Sequence, residues 1–197
     1  MFKHNTLFIV LFGVLLLNAL VFSMGTSPHT SVTATATFPP STKVVRFSPS
    51  GIRGTIDTPA DCWESSLAAP RANTWRCMVM NTIYDPCFST STQASYVICD
   101  ANPTSDTRGL KAILAHPLPA STLSSGTQAW MIHLADGPVC SFLTGASGLI
   151  GGERINYSCT EGAFIVGSPH ISPVWMVKEV KKGQSQPVMM SVVEAWT

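Results

Sequence analysis

The sequence contains few charged residues. Only 12% of its 197 residues are charged and the formal net charge is +1, whereas charged residues make up about a quarter of an average soluble protein. Recognition of nucleic acid through bulk electrostatics requires a concentrated basic face. The one short basic run, residues 178–182, is interrupted by Glu179 and is typical of a solvated hairpin end. We therefore expect no nucleic-acid partner.

Two other patterns are missing, and each absence excludes a class of protein. No window keeps a helical hydrophobic period beyond about two turns, and 14 Pro with 14 Gly interrupt the chain. No C-x-x-C spacing occurs, which removes the usual signature of a thioredoxin-like redox centre or a zinc knuckle. The sequence predicts little helix and gives no reason to expect a metal ion or a cofactor.

The N-terminal segment has the plan of an export signal. A short start containing Lys3 precedes the apolar residues 6–22, and small residues at Ser23 and Gly25 follow. We predict a signal peptide or an N-terminal membrane anchor over residues 1–25. The apolar run, about 17 residues long, exceeds that of most signal peptides, so an uncleaved anchor stays open as an alternative.

Residues 26–42 are predicted to form a spacer. Nine of these seventeen residues are Ser or Thr and three are Pro. Such a stretch cannot bury enough apolar surface to offset the entropy lost on ordering. We expect it to tether a domain over residues 43–197. That domain would be extracytoplasmic, either secreted or held on the outer face of the cytoplasmic membrane through the N-terminal segment alone.

All six cysteines fall within the expected domain: Cys62, Cys77, Cys87, Cys99, Cys140 and Cys159. In an exported chain an even number of cysteines indicates disulfides rather than metal ligands. Six cysteines allow fifteen pairings, among which sequence alone does not choose. Because each neighbouring pair brackets a turn between strand-like runs, we predict the bridges Cys62–Cys77, Cys87–Cys99 and Cys140–Cys159.

Hydrophobic residues recur with a period of two through most of the domain. Residues 74–81 alternate Trp75, Cys77 and Val79 with side chains of the opposite face. Three later hairpins are predicted around turns at residues 136–138, 161–162 and 183. We therefore predict an all-β fold, an antiparallel sandwich or barrel with little helix, that is stapled by three disulfides.

Several short motifs resemble an uncharacterised family of exported bacterial domains, found as small secreted or lipid-anchored proteins. They are Cys62-Trp63, Pro70-Arg71-Ala72, Trp75-Arg76-Cys77, Asp85-Pro86-Cys87-Phe88, Cys140-Ser141-Phe142-Leu143 and Glu194-Ala195-Trp196. The family has no established activity. The resemblance implies an extracytoplasmic location and no particular mechanism.

A hydrolase is the main functional alternative, since it would need a nucleophile, a base and an orienting group. Ser147 lies one residue out of step with the nucleophile-elbow pattern. The candidate bases and orienting residues are His116, His133, His170, Asp85, Asp100, Asp106 and Asp136. A chain of this size offers such sets by chance, so we assign no catalytic residue.

Methionine and tryptophan raise two weaker hypotheses. Soft ligands for copper are offered by Met78, Met80, Met131, Met189, Met190 and His133. Methionines more simply fill gaps in a core. Exposed tryptophans could stack on sugars or anchor a partner, but we expect burial, with Trp63 and Trp75 packed against the Cys62–Cys77 bridge.

The sequence as a whole predicts an exported, non-catalytic β module. It would bind a cell-envelope component, a protein or a glycan, and the alternative is an extracytoplasmic hydrolase using a His/Asp/Ser set. The export signal, the spacer and the even cysteine count carry this prediction. They assign no ligand-contact residue.

Overall fold

The computed structural model describes residues 40–120 and 128–197. Regular structure there is entirely β apart from one 3-10 turn, Thr160–Gly162. The strands are β1 (Lys43–Val45), β2 (Gly51–Ser65), β3 (Thr74–Val79), β4 (Thr82–Phe88), β5 (Tyr96–Cys99), β6 (Arg108–Leu114), β7 (Met131–Leu134), β8 (Val139–Phe142), β9 (Leu149–Ile150), β10 (Glu153–Cys159), β11 (Phe164–His170), β12 (Met176–Val180) and β13 (Val188–Trp196). The all-β fold with little helix is confirmed. The expected leader, 1–25, and nearly all of the expected spacer lie outside the described residues.

The first barrel contains five strands in the order β2-β3-β4-β5-β6 and is closed. Consecutive strands pair antiparallel. Five strands of alternating direction leave the first and the last pointing the same way, so closure requires a parallel pair. β2 and β6 form that pair, with Thr55 opposite Lys111. Small side chains and cysteine sulfurs dominate the core around Trp75, Ala60 and Ala112.

The second barrel contains six strands in the order β7-β8-β10-β11-β12-β13, and β13 pairs back to β7. Because six is even, every pair in this ring is antiparallel. Its core is richer in large side chains, among them Ile132, Tyr157, Ile165 and Trp175. The buried Tyr157 hydroxyl donates to the Ala129 carbonyl oxygen at 2.7 Å, so the one polar atom of that ring is satisfied.

Strand β1 belongs to the second barrel although it precedes the first barrel in the chain. It runs parallel to the end of β13. The Thr42 hydroxyl donates to the Val192 carbonyl oxygen at 2.6 Å and accepts from the Trp175 N–H at 2.7 Å. Thr42, the last residue of the expected spacer, therefore contacts the folded domain. Residues 46–50 then cross from one barrel to the other.

A third hydrophobic cluster joins the two barrels. Phe47, Phe88 and Trp130 pack edge to face, with ring centroids 5.6 to 6.3 Å apart. Met131 and Trp196 of the second barrel belong to the same cluster. Aromatic pairs of this geometry add to the stabilisation from buried area. The two barrels thus share one apolar contact surface.

The three predicted disulfides are confirmed: Cys62–Cys77, Cys87–Cys99 and Cys140–Cys159. Each joins residues directly opposite one another on neighbouring strands, with Cα atoms 3.8 to 4.2 Å apart. Disulfides of this number indicate an oxidising compartment. In the part of the chain that is described, no helix is long and apolar enough to cross a membrane.

Candidate functional site

A cavity of about 380 Å³ lies on the first barrel, beside the segment that links β1 to β2. We call it the basic cavity because Arg46 and Arg71 both line it. Neutral polar residues complete much of its wall: Ser48, Asn73, Ser89 and Thr90. Among the residues that the structure describes, no Asp or Glu belongs to the lining. The cavity therefore combines two positive charges with hydrogen-bonding groups and has no acid of its own.

The turn between β2 and β3 positions Arg71. The Arg71 N–H donates to the Ala69 carbonyl oxygen at 2.8 Å. The buried Thr74 hydroxyl lies 2.6 Å from the carbonyl oxygens of both Ala69 and Arg71, so it ties the turn to the start of β3. Arg46 follows β1 directly and is exposed. Two separate segments thus bring the guanidinium groups to one cavity.

The Arg71 side chain is half-buried and incompletely bonded. Its Nη2 donates to the Phe47 carbonyl oxygen, and its guanidinium carbon lies 5.5 Å from the centroid of the Phe88 ring. Its buried Nε has no hydrogen-bond partner among the described residues. Burial first, and then the nearby charge of Arg46, lower the pKa of Arg71. Both effects show that a second positive group stands beside a partly desolvated one.

Of the eleven Lys and Arg residues in the described ranges, six form ion pairs and five do not, and the two that line the basic cavity are among those five. Within residues 40–120 and 128–197, ion pairs involve Lys43, Arg53, Arg76, Arg108, Lys178 and Lys181. Arg46 and Arg71 are absent from this set. Two adjacent cations that lack a carboxylate partner raise the electrostatic energy of the folded chain, and a bound anion would lower it.

A smaller cavity, of about 180 Å³, adjoins the same two arginines. Gln128 and Thr197 are among its other lining residues. Arg46 and Arg71 therefore border two cavities, and the larger one carries the hydroxyl groups. We take the larger cavity as the ligand site because it offers more polar groups around the guanidinium pair.

The candidate catalytic bases are not joined to the candidate nucleophile. In the described part of the chain, none of His116, His133 and His170 hydrogen-bonds to a serine or an aspartate side chain. His133 lies on β7, opposite Glu194 of β13. The buried Ser147 Oγ has no hydrogen-bond partner among the described residues. Within residues 40–120 and 128–197, the candidate Ser, His and Asp side chains are not joined by hydrogen bonds into one set.

The candidate orienting aspartates have other partners. Asp100 pairs with Arg53, Asp106 with Arg108 and Asp136 with Lys181. The buried Asp85 carboxylate accepts from the Ser66 hydroxyl and from the N–H groups of Leu67 and Ala68. Burial raises the pKa of Asp85, while these hydrogen bonds and Arg76 oppose the rise. Asp85 thus fixes the chain after β2.

The candidate copper ligands do not lie together in one site. Met78 and Met80 are exposed on the first barrel, Met131 is buried between the barrels, and Met189 and Met190 lie on β13 with His133 on β7. Among the described histidines, cysteines and acids, one group has metal-like spacing: Cys77, Cys87 and Cys99. All three are disulfide-bonded, so none offers a free thiolate.

The tryptophan prediction is correct for Trp75 and wrong for Trp63. Trp75 is fully buried, whereas Trp63 is 41% exposed. Successive side chains of a strand point to opposite faces, and because Cys62 points inward, Trp63 points outward. Its Nε1 donates to Glu64 Oε1 at 2.9 Å, and the Arg76 guanidinium lies 5.4 Å from its ring centroid. Trp63 is therefore part of a surface polar network.

Sequence reasoning missed Arg46 and Arg71 as a pair. They stand 25 positions apart, and only the crossing of residues 46–50 between barrels brings them to one cavity. Comparisons with protein-family models, with curated proteins and with solved structures found no match for this chain. Its resemblance to exported bacterial domains stays a prediction.

Proposed function

We propose that this chain is an exported, non-catalytic β module that binds an anionic group of a cell-envelope component in the basic cavity. The observation that carries the proposal is the pair Arg46 and Arg71, which line one cavity and have no ion-pair partner within the described residues. The predicted export signal and the three disulfides support a location outside the cytoplasm.

Guanidinium groups favour planar oxyanions. An arginine can present two parallel N–H donors to a carboxylate, phosphate or sulfate, and such charge-assisted bonds are stronger than neutral ones. Arg71 Nη2 donates to the Phe47 carbonyl oxygen, and the buried Nε has no partner among the described residues, so the guanidinium group is not fully bonded within the chain. Ser89 and Thr90, in the same lining, can hydrogen-bond neutral parts of the ligand. The site therefore suits an anion that carries hydroxyl groups.

The test uses one anionic ligand and its neutral analogue. Galacturonic acid should raise the thermal midpoint of the oxidised protein in a concentration-dependent way, because a ligand of the native state stabilises it by mass action. Its methyl ester, which lacks the charge, should not. Calorimetric titration should then show binding of the acid weakened by about tenfold or more in Arg46→Gln, as expected for loss of a charge-assisted hydrogen bond.

The matched control is Lys182→Gln, which removes the same charge from an exposed residue beyond β12. It should leave the affinity unchanged. Arg71→Lys keeps the positive charge but removes the planar pair of donors, so we expect intermediate binding. Equal affinity in the unmodified protein, Arg46→Gln and Lys182→Gln would contradict the proposal, as would equal binding of the methyl ester.

A further inference from the structure

A third cation lies on the same face of the first barrel as the basic cavity. Lys111 of β6 is directly opposite Ile98 of β5, and Ile98 and Tyr96 both line the cavity. Directly opposed residues of paired strands project to one face of the sheet, and so do alternate residues of one strand. Lys111 therefore projects from the face that carries Tyr96 and Ile98.

Lys111 contacts the cavity wall and has no acidic partner. Its Nζ lies 4.6 Å from the centroid of the Tyr96 ring, a cation–π distance. Within residues 40–120 and 128–197 it forms no ion pair. Thr55, its opposite residue on β2, is neutral. The wall of the basic cavity thus continues, through Tyr96, to another positive charge without a counter-ion.

We infer that the ligand is an anionic polysaccharide, whose successive acidic groups contact the Arg46–Arg71 pair and Lys111. This inference rests on the proposed function, because it extends the same site. Arg46 and Arg71 share one cavity, while Lys111 is not among its lining residues and lies on the strand next to Ile98, about 5 Å away across the sheet. A single small anion in the cavity has no need of Lys111. A chain with charges at intervals uses both positions.

Polysaccharide is favoured over nucleic acid by the rest of the site. Ser48, Asn73, Ser89 and Thr90 supply the neutral hydrogen-bonding groups that sugar hydroxyls require. The chain as a whole carries a formal net charge of only +1, whereas nucleic-acid binding draws on a large basic face. The half-buried Tyr96 of the cavity lining already has Lys111 over its ring, so it is not a free stacking platform.

The test compares ligands of one chemistry and different length. Galacturonic acid and its linear hexamer would be titrated into the oxidised full chain and into four variants. The hexamer should bind the unmodified protein more than about six times as tightly as the monomer, which is the increase that six equivalent carboxylates alone would give. Lys111→Gln should lower the hexamer affinity about tenfold, as expected for loss of one charge-assisted contact, and leave the monomer affinity unchanged. Arg46→Gln should weaken both ligands, and Lys182→Gln neither.

The other possible outcomes each contradict either the polysaccharide inference or the proposed function. If the monomer binds through Arg46 while Lys111→Gln leaves the hexamer affinity unchanged, the polysaccharide inference fails and the proposed function stands. If neither ligand binds, both fail. Lys111→Arg keeps the positive charge and should bind the hexamer about as tightly as the unmodified protein does. This result would show that Lys111→Gln weakens binding through loss of charge and not through a folding defect. A single-stranded DNA of equal charge that binds as tightly as the hexamer, with the same Lys111 dependence, would overturn the choice of polysaccharide.

Discussion

The two barrels solve the same closure problem with different strand numbers. The first has five strands and closes with a parallel pair, β2 and β6, whereas the second has six and closes with an antiparallel pair, β7 and β13. Antiparallel neighbours can be joined by short hairpins, but a parallel pair needs a long connection. In the first barrel that connection is the whole meander from β3 to β5. The smaller barrel therefore depends on a contact between strands distant in sequence.

The cores of the two barrels also differ in the size of their side chains and in their number of disulfides. Around Trp75, the first core consists of small residues and four half-cystines, including the close sulfurs of Cys77, Cys87 and Cys99. The second core has one disulfide and several large side chains. A core of small apolar side chains buries little area. Disulfides thus contribute a larger share of stability in the first barrel.

The largest effect should come from removing bridges. Chain entropy alone assigns roughly 3 kcal/mol to each and slightly favours the longer loop of Cys140–Cys159, whose sequence separation is 19 against 12 for Cys87–Cys99. We expect the opposite order. Both double variants lose core packing, but the first core has fewer large side chains to compensate. Cys87→Ala/Cys99→Ala should therefore cost about 5 kcal/mol, against about 3 kcal/mol for Cys140→Ala/Cys159→Ala. Urea unfolding without reductant measures both. A larger loss in the second barrel would refute the packing argument.

A smaller effect should follow from adding one methyl group where the first barrel closes. Gly109 pairs with Ile52 across the parallel contact. A Cβ atom at Gly109 would lie 2.5 Å from the Cys99 carbonyl oxygen and 2.4 Å from Ile98 Cγ2. Because the backbone at Cys99 would have to move to make room, Gly109→Ala should lower the free energy of unfolding by about 3 kcal/mol.

The control for this substitution lies in the second barrel. A Cβ atom at Gly145 would meet nothing within 4 Å, so Gly145→Ala should change the free energy of unfolding by less than about 0.5 kcal/mol. Thermal unfolding of the two variants side by side gives the comparison. Similar midpoints would mean that β5 and β6 are not in close contact at Gly109.

The smallest effect concerns a buried charge in the second barrel. Glu179 is 1% exposed, neither of its carboxylate oxygens has a hydrogen-bond partner among the described residues, and Lys181 Nζ lies 3.9 Å away. Burial first, and then Asp136, raise the pKa of Glu179, while Lys181 opposes the rise. The folded chain therefore holds this proton to higher pH than the unfolded chain does, and Glu179 lowers stability as pH rises above about 4.5.

Removing that charge should stabilise the second barrel at neutral pH. Glu179→Gln should gain about 1 kcal/mol near pH 7 relative to the unmodified protein, and the gain should disappear in acid, where the carboxyl group is protonated in both folded and unfolded chains. Urea unfolding over a series of pH values tests this. A difference that does not vary with pH, or a loss at neutral pH, would contradict the account.

Local signals were enough to predict the hairpins. The second barrel has turn glycines, such as Gly137 and Gly183, between alternating runs, so its strand pairs were predictable. The hydrophobic pattern does not predict the first half of β2 or β6. Residues 51–59 contain two glycines, a proline and an aspartate, which weaken a strand pattern. Their parallel partner, β6, is far along the chain, so no turn between the two strands indicates the pairing.

The candidate site was beyond sequence reasoning for a similar reason. Arg46, Arg71 and Lys111 come from three segments, and no local spacing relates them. Arg46 and Arg71 are set apart because both line one cavity and neither has an ion-pair partner among the described residues, which only the folded chain makes visible. The disulfides were predictable because their cysteines flank turns, whereas a charge cluster has no covalent constraint to reveal it.

The most direct test of the central claim is a map of the ligand contacts. Nuclear magnetic resonance spectra of the 15N-labelled protein, including arginine Nε–H signals, would be recorded during titration with hexagalacturonate. We predict shifts for the Nε–H groups of Arg46 and Arg71 and for the amides of Asn73 and Ser89, with Arg154 of the second barrel unchanged. Shifts centred on the second barrel or on Trp63, or none at all with excess ligand, would contradict an anion site in the first barrel.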